Sequence, residues 1–298
     1  MNAPWVAVSR PATTGPRQVA LRLLLLMLLA LLASPAARAA DPEPDAVWGD
    51  GPNRFSIATG SPGETGLLER LATEFAQQNG ARISWYRVGS GKALELLKQH
   101  RVDMILAHAP AAEEEAVAEG WATGRALVGS NEFWIVGPGD DPAGIAAAAS
   151  AADALRRIAT AGAVFVSRGD NSGTHQREQA LWSAAGIRPA GSWYLVTRDF
   201  MTASLERANA ERAYFLTDSS TFIVEGPKLP NLKRLYRGDE ALANPYHVLY
   251  AAAATPGASI ARRFGDYILS SRGQELIGKY GRGRYGEPLY RNAAAAAK

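Results

Sequence analysis

Short runs rich in β-branched and aromatic residues alternate with amphipathic stretches along most of this chain, and nothing else in it restricts the fold as strongly. Phe55 to Thr59 is followed by Leu67 to Gln78, Arg82 to Val88 by Lys92 to Gln99, and Asp103 to Ala107 by Ala112 to Glu119. In the first amphipathic stretch Leu67, Leu68, Leu71, Phe75 and Ala76 recur at intervals of three and four, which gives one stripe to lay on a sheet. Such alternation predicts βαβ units on a mostly parallel sheet. A second series repeats the theme in Ala154 to Thr160, Ala163 to Val166, Thr174 to Ala185, Trp193 to Val196, Thr202 to Ala210 and Ala213 to Leu216. Between the two series lies Phe133 to Pro138, an apolar strand stopped by Gly137 and Pro138. It predicts a crossing from one lobe to the other, with Tyr246 to Tyr250 as the return. Ser259 to Leu269 and Gln274 to Tyr280 then read as closing helices of the first lobe. The expected fold is α/β with two lobes, each a mostly parallel sheet flanked by helices, and two crossing strands as a hinge. Lobe one takes residues 41–133 plus 246–298, and lobe two 134–245.

The first forty residues carry Arg10, Arg17 and Arg22, an apolar run of 11 residues from Leu23 to Ala33, then Ala37-Arg38-Ala39. This is the pattern of a cleavable signal peptide, expected over residues 1–39, and the run is short of the roughly 20 residues a membrane-spanning helix needs. A periplasmic protein is expected. With no cysteine in the sequence, disulfides and a lipoprotein anchor are excluded. The formal charge of +3 belongs to the leader: without Arg10, Arg17, Arg22 and Arg38, 28 basic residues face 29 acidic ones. Near-neutrality argues against a nucleic-acid partner. About 258 residues remain, which suits two lobes of ordinary domain size.

Four times a strand end runs into small hydroxyl and glycine residues and then into a helix: Thr59-Gly60-Ser61, Gly89-Ser90-Gly91, Ser167 to Thr174, and Met201-Thr202-Ala203-Ser204. Helix N-termini present unpaired N–H groups and a positive dipole end, and glycine lets an anion approach them. In open α/β sheets these loops gather at the carboxyl ends of the strands, where ligands bind. The segment Ser167 to His175 adds an arginine fork, Arg168, which Asp170 can hold in one plane while its free edge faces an anion. The candidate ligand-binding residues are Thr59, Ser61, Ser90, Arg168, Ser172, Gly173, Thr174 and Thr202, supported by Asp170, Gly60 and Gly91.

Other motifs fail. Gly89-Ser90-Gly91-Lys92 lacks the spacing and the Ser or Thr of a phosphate loop. Gly169 to Gly173 has its serine one place from a nucleophile elbow, so a hydrolase built on Ser172 and His175 is the remote alternative. His100, His108, His175 and His247 are not at metal-ligand spacing, so neither a metal nor another cofactor is expected.

Thr65-Gly66-Leu67-Leu68, Val88 to Leu94, Asp103 to Pro110, Ile135 to Gly144, Ser167 to His175, Leu216-Thr217-Asp218 and Asn244-Pro245-Tyr246-His247 together resemble the tungstate-binding proteins of bacterial ABC importers, type II periplasmic binding proteins. The resemblance spans Ile57 to about Tyr250. It implies a tetrahedral oxyanion as ligand, tungstate or molybdate, contacted by Thr59, Ser61, Ser90 and Arg168. It also implies a monomer that meets an importer permease in the inner membrane, and no catalysis. Where the family shows three threonines and a serine, this chain has Ala58-Thr59-Gly60-Ser61, and Thr202 stands where glycine is usual. Phosphate or sulfate binding and a periplasmic anion sensor are the alternatives. Phosphate carries a proton near pH 7 and wants an acceptor in the site; Glu64 is the first loop's only candidate.

Overall fold

The computed structural model describes residues 43–297; the expected signal peptide lies outside them. Strand β1 (Ala46–Trp48) leads into β2 (Asn53–Thr59), a short helix α1 (Ser61–Glu64), α2 (Leu67–Asn79), β3 (Ala81–Arg87), α3 (Ser90–Lys98), β4 (Met104–Ala107), α4 (Pro110–Ala118) and the long β5 (Ala122–Pro138). There follow α5 (Ala151–Thr160), β6 (Phe165–Ser167), α6 (Gly173–Ala184), β7 (Tyr194–Val196), α7 (Met201–Glu211), β8 (Tyr214–Asp218), α8 (Ser219–Glu225) and β9 (Leu232–Tyr236). The chain returns through β10 (Ala243–Ala251) to α9 (Ala258–Leu269), α10 (Ser271–Lys279), α11 (Arg282–Tyr285), β11 (Arg291–Asn292) and α12 (Ala293–Ala296).

The strand order is β1-β3-β2-β4-β10-β5-β8-β6-β7, with β9 and β11 also on β5. In the first half β2 lies parallel between β3 and β4, Ile57 facing Trp85 and Met104. In the second, β6 lies parallel between β7 and β8. Crossing strands β5 and β10 run antiparallel to their neighbours. The fold is the expected α/β class, and its parallel pairs are those joined by helical crossovers, as connection rules require.

Each half has its own packed interior. The α2 stripe buries Leu67, Leu68, Leu71, Ala72, Phe75 and Ala76, and the Phe75 ring meets those of Phe55 and Phe264 with centroids 6.4 and 5.1 Å away. Helix α5 starts at a Ser150 cap that accepts Asp153 N–H, and buries Ala151, Ala154, Leu155 and Ile158 against the second sheet. That spacing is one helical face.

The structure corrects the first crossing. Its strand begins at Ala122, not Phe133. Up to Glu132 it pairs with β10, and from Phe133 onward with β8 and β9. Gly124, Gly129 and Ser130 disguise it as a loop. The two glycines are tolerated because other chain segments occupy the side-chain space: a Cβ would stand 2.6 Å from the Tyr250 ring at Gly124 and 2.5 Å from the Arg291 carbonyl oxygen at Gly129. Among the described residues no helix is long and apolar enough to cross a membrane.

Candidate anion-binding site

The four hydroxyl- and glycine-bearing loops lie after β2, β3, β6 and β7, at the carboxyl ends of the parallel strands of both halves. The halves touch through glycine. A Cβ on Gly89 would stand 2.8 Å from Ser172 Cβ, one on Gly91 2.5 Å from the Asn171 carbonyl oxygen, and one on Gly173 2.6 Å from that of His108. Only bare backbone fits this seam. The Arg87 guanidinium lies 4.8 Å above the Phe200 ring from the other half. A hollow of about 190 Å³ opens between Val88, Gly89 and Lys92 on one side and Asp170, Arg198, Asp199 and Phe200 on the other.

Where each hydroxyl proton goes decides what it can bind, since a hydroxyl donates one hydrogen. Thr59 Oγ1 and Thr174 Oγ1 are buried and have no hydrogen-bond partner among the described residues. An unpartnered buried hydroxyl costs about 1 to 3 kcal/mol, so both fit a site that an acceptor completes. Ser90 Oγ accepts from His108 N–H at 3.0 Å, which leaves its own proton to give. Arg168, 5% exposed, is held twice: Nε donates to the Asp199 carbonyl at 3.2 Å and Nη2 to Asp170 at 2.5 Å. These two contacts leave Nη1 as the guanidinium's open edge. Asp170 is fixed in turn by the Ser172 N–H at 3.1 Å and Oγ at 2.7 Å. Gly169, at φ +61, bends the chain beneath this fork, where a Cβ would strike Val196.

Two expected donors are committed elsewhere. Ser61 Oγ gives its proton to Asp218 at 2.6 Å. Ser172 Oγ gives its proton to Asp170 and accepts the His175 N–H, so it caps α6. With the Ser172 proton on Asp170, and His175 Nδ1 accepting Asn171 N–H at 3.0 Å, the serine and histidine are not arranged as nucleophile and base. Helix geometry still leaves the N–H groups of Gly173 and Thr174 at the start of α6, and those at the start of α3, without partners inside the helix. Thr202 sits half-buried in the first turn of α7. Gly60 precedes α1.

The surroundings are strongly polarised. Burial raises the Glu64 carboxyl above its ordinary pKa; the nearby Arg168 charge opposes the shift and Asp218 adds to it. Burial lowers the pKa of the His108 imidazole and so favours its neutral form. Its Nδ1 faces Asn244 Oδ1 at 2.8 Å, and because Asn244 Nδ2 donates to Asn131 at 2.6 Å, Nδ1 carries the hydrogen. Deeper in the second half, burial pushes Glu178 up to about 7, although the Tyr194 hydroxyl donates to it at 2.6 Å and Trp182 Nε1 at 3.2 Å. Asp218 and Asn244 entered the sequence reading only inside matched segments and without a role, and Asn131 and Glu178 not by name, because they are polar residues hidden in strands and a helix. Among the described residues no group of three or more His, Cys, Asp or Glu is placed to hold a metal ion.

Donor loops brought to one seam from two α/β halves, between which the chain crosses twice, are the construction of the periplasmic solute-binding proteins. Residues 46–272 match the family described as the PBP superfamily domain. The chain is 35% identical to "Tungstate-binding protein TupA" of Peptoclostridium acidaminophilum, over 91% of this chain and 96% of that one. It belongs to the family of which that protein is a member, within the PBP superfamily. Among solved structures it is similar to the tungstate ABC transporter protein from Geobacter sulfurreducens, at 36% identity and a TM-score of 0.70 over 78% of this chain and all of the other. It is similar too to the tungstate-binding protein TupA from Desulfovibrio alaskensis G20, at 36% identity and a TM-score of 0.66, over 80% of this chain and 98% of that one.

Proposed function

We propose that this protein captures tungstate in the periplasm as a monomer and presents it to the permease of an ABC importer. The single observation that carries the reading is the pair of unpartnered buried hydroxyls, Thr59 at the end of β2 in one half and Thr174 at the start of α6 in the other, the second in the same loop-to-helix segment as the held guanidinium of Arg168. The protons left to give on Thr59, Ser90, Thr174 and Arg168 Nη1 suit a guest that only accepts hydrogen bonds, as tungstate, molybdate and sulfate do near pH 7. A dianion taken out of water needs every oxygen satisfied, and charge-assisted bonds contribute about 1.5 to 3 kcal/mol each. The names of the family members favour tungstate over the lighter anions. Lobes of residues 41–133 plus 246–298 and of 134–245 would then close on the anion about β5 and β10, and closure would mark the loaded form.

Titration calorimetry with tungstate, molybdate, sulfate and phosphate tests this. Tungstate should bind most tightly, and Arg168→Ala should weaken it by a hundredfold or more, about 3 kcal/mol, without unfolding the protein. Absence of tungstate binding would refute the reading. A phosphate reading is favoured by one observation, the half-buried Glu64 near Arg168, which could accept the phosphate proton. Tight phosphate binding that Glu64→Gln abolishes would decide for it.

A further inference from the structure

Asp218 ends β8, caps α8 and is fully buried. Among the described residues five donors reach its carboxylate. Three come from its own helix start: Ser220 Oγ at 2.5 Å, Thr221 N–H at 2.9 Å and Thr221 Oγ1 at 3.1 Å. A fourth, Asn131 Nδ2 at 3.3 Å, comes from crossing strand β5. The fifth crosses the seam: Ser61 Oγ, at 2.6 Å, stands at the start of α1, two residues past Thr59. Capping requires only the bonds to the helix's own N–H groups, so the Ser61 bond ties two separate pieces of the molecule together.

The tie continues. Asn131 accepts from Asn244, its register partner on β10, Asn244 accepts from His108, and the His108 N–H donates to Ser90 Oγ. One hydrogen-bonded path therefore begins at the Thr59 to Ser61 loop, passes through the second half and both crossing strands, and ends on the Ser90 loop. Tyr290 bridges Ser220 and Thr65 beside it, at 3.1 and 3.0 Å.

We infer that Asp218 is a positioning residue for anion retention, which holds the Thr59 to Ser61 loop against the second half through the Ser61 hydroxyl when the halves are together. Ser61 thus acts on the anion through Asp218, since its one proton is already given away. When the halves part, the Ser61 bond breaks, whereas Ser220 and Thr221 stay with Asp218 on their own helix. Loss of this bond shortens the life of the loaded form and leaves encounter with the anion alone, because most affinity differences within one site lie in dissociation. The inference rests on the reading that an anion is held between halves that open and close.

Stopped-flow tryptophan fluorescence with tungstate separates the two rates. Ser61→Ala should speed dissociation about ten- to a hundredfold and change association less than about threefold. Ser61→Thr, which keeps the hydroxyl, should restore slow release. Asp218→Asn should match Ser61→Ala, and the double variant should be no worse than the more damaging single one, as expected of two groups in one interaction. Unchanged dissociation in Ser61→Ala overturns the inference, as does a double variant whose loss is the product of the singles, because Ser61 would then serve the anion independently. If Asp218→Asn does not fold, the Ser61→Ala and Ser61→Thr pair alone decides. No binding by the unsubstituted protein overturns the functional reading and this inference with it; normal binding with independent losses overturns this inference alone.

Discussion

Glu178 shows how far a single carboxyl can depart from its sequence appearance. On paper it is a helix residue among Gln176, Arg177 and Gln179; in the fold it is 2% exposed, against Trp182 and Tyr194. Desolvation is the largest cause of its shift, from 4.5 to about 7, and the donors around it, with the Asp170 charge acting the other way from them, do not cancel it. The folded state therefore keeps a proton that the unfolded state loses between those two values. Stability contributed by this group is present below pH 4.5, falls as pH rises to 7, and is level beyond, a total of about 3 kcal/mol. Glu178→Gln has no proton to lose and keeps an oxygen to accept the same donors. Measured by urea unfolding, it should gain about 2 to 3 kcal/mol over the natural protein between pH 5 and pH 8; parallel stability profiles would show that Glu178 is not buried as a neutral acid.

At the scale of elements, what periodicity encodes was legible and what a partner strand encodes was not. Helix α5 starts at Ala151, three residues before the expected Ala154, and the α2 stripe stands where spacing puts it. The same holds for the loops of the site, whose Gly and Ser positions declare helix starts. Strand β9, Leu232–Tyr236, was missed because Lys233 and Arg234 are exposed and its pairing with β5 leaves no mark in the sequence. Helix α8 was missed for the opposite reason: Thr221, Ile223 and Val224 favour a strand, and the Asp218 cap overrides them. Within the site, residue type suggested Ser61 and Ser172 as donors, but a sequence cannot say that each proton has an acid beside it. The hidden part of β5 is testable. Gly129→Val should destabilise the fold by about 1 to 3 kcal/mol, because its side chain meets Arg291 and Ile277, whereas the same change at Gly120, which has open space beside it, brings only the strain of its φ of +78. Matching losses in chemical unfolding would mean that β11 is not firmly docked on β5.

For the whole molecule the question is whether the seam is a fixed piece of the core or a surface that meets and parts. Its construction from Gly89, Gly91 and Gly173 gives a way to ask. At Gly89 the backbone, φ −71 and ψ 163, suits any residue, so alanine there brings no strain of its own. Its Cβ would stand 2.8 Å from Ser172 Cβ only while the halves touch. If they part in solution, Gly89→Ala leaves the ligand-free protein as stable as before and penalises only the joined form. Tungstate affinity should then fall about tenfold or more, and the rise in melting temperature on adding tungstate should shrink to match, since a ligand stabilises only in proportion to its binding. If the seam is static, the added methyl overpacks a closed interior, and the ligand-free protein itself loses about 1 to 3 kcal/mol. Thermal melts of the two proteins with and without tungstate distinguish these outcomes, and an equal loss with and without tungstate would rule out the opening motion on which capture and release depend.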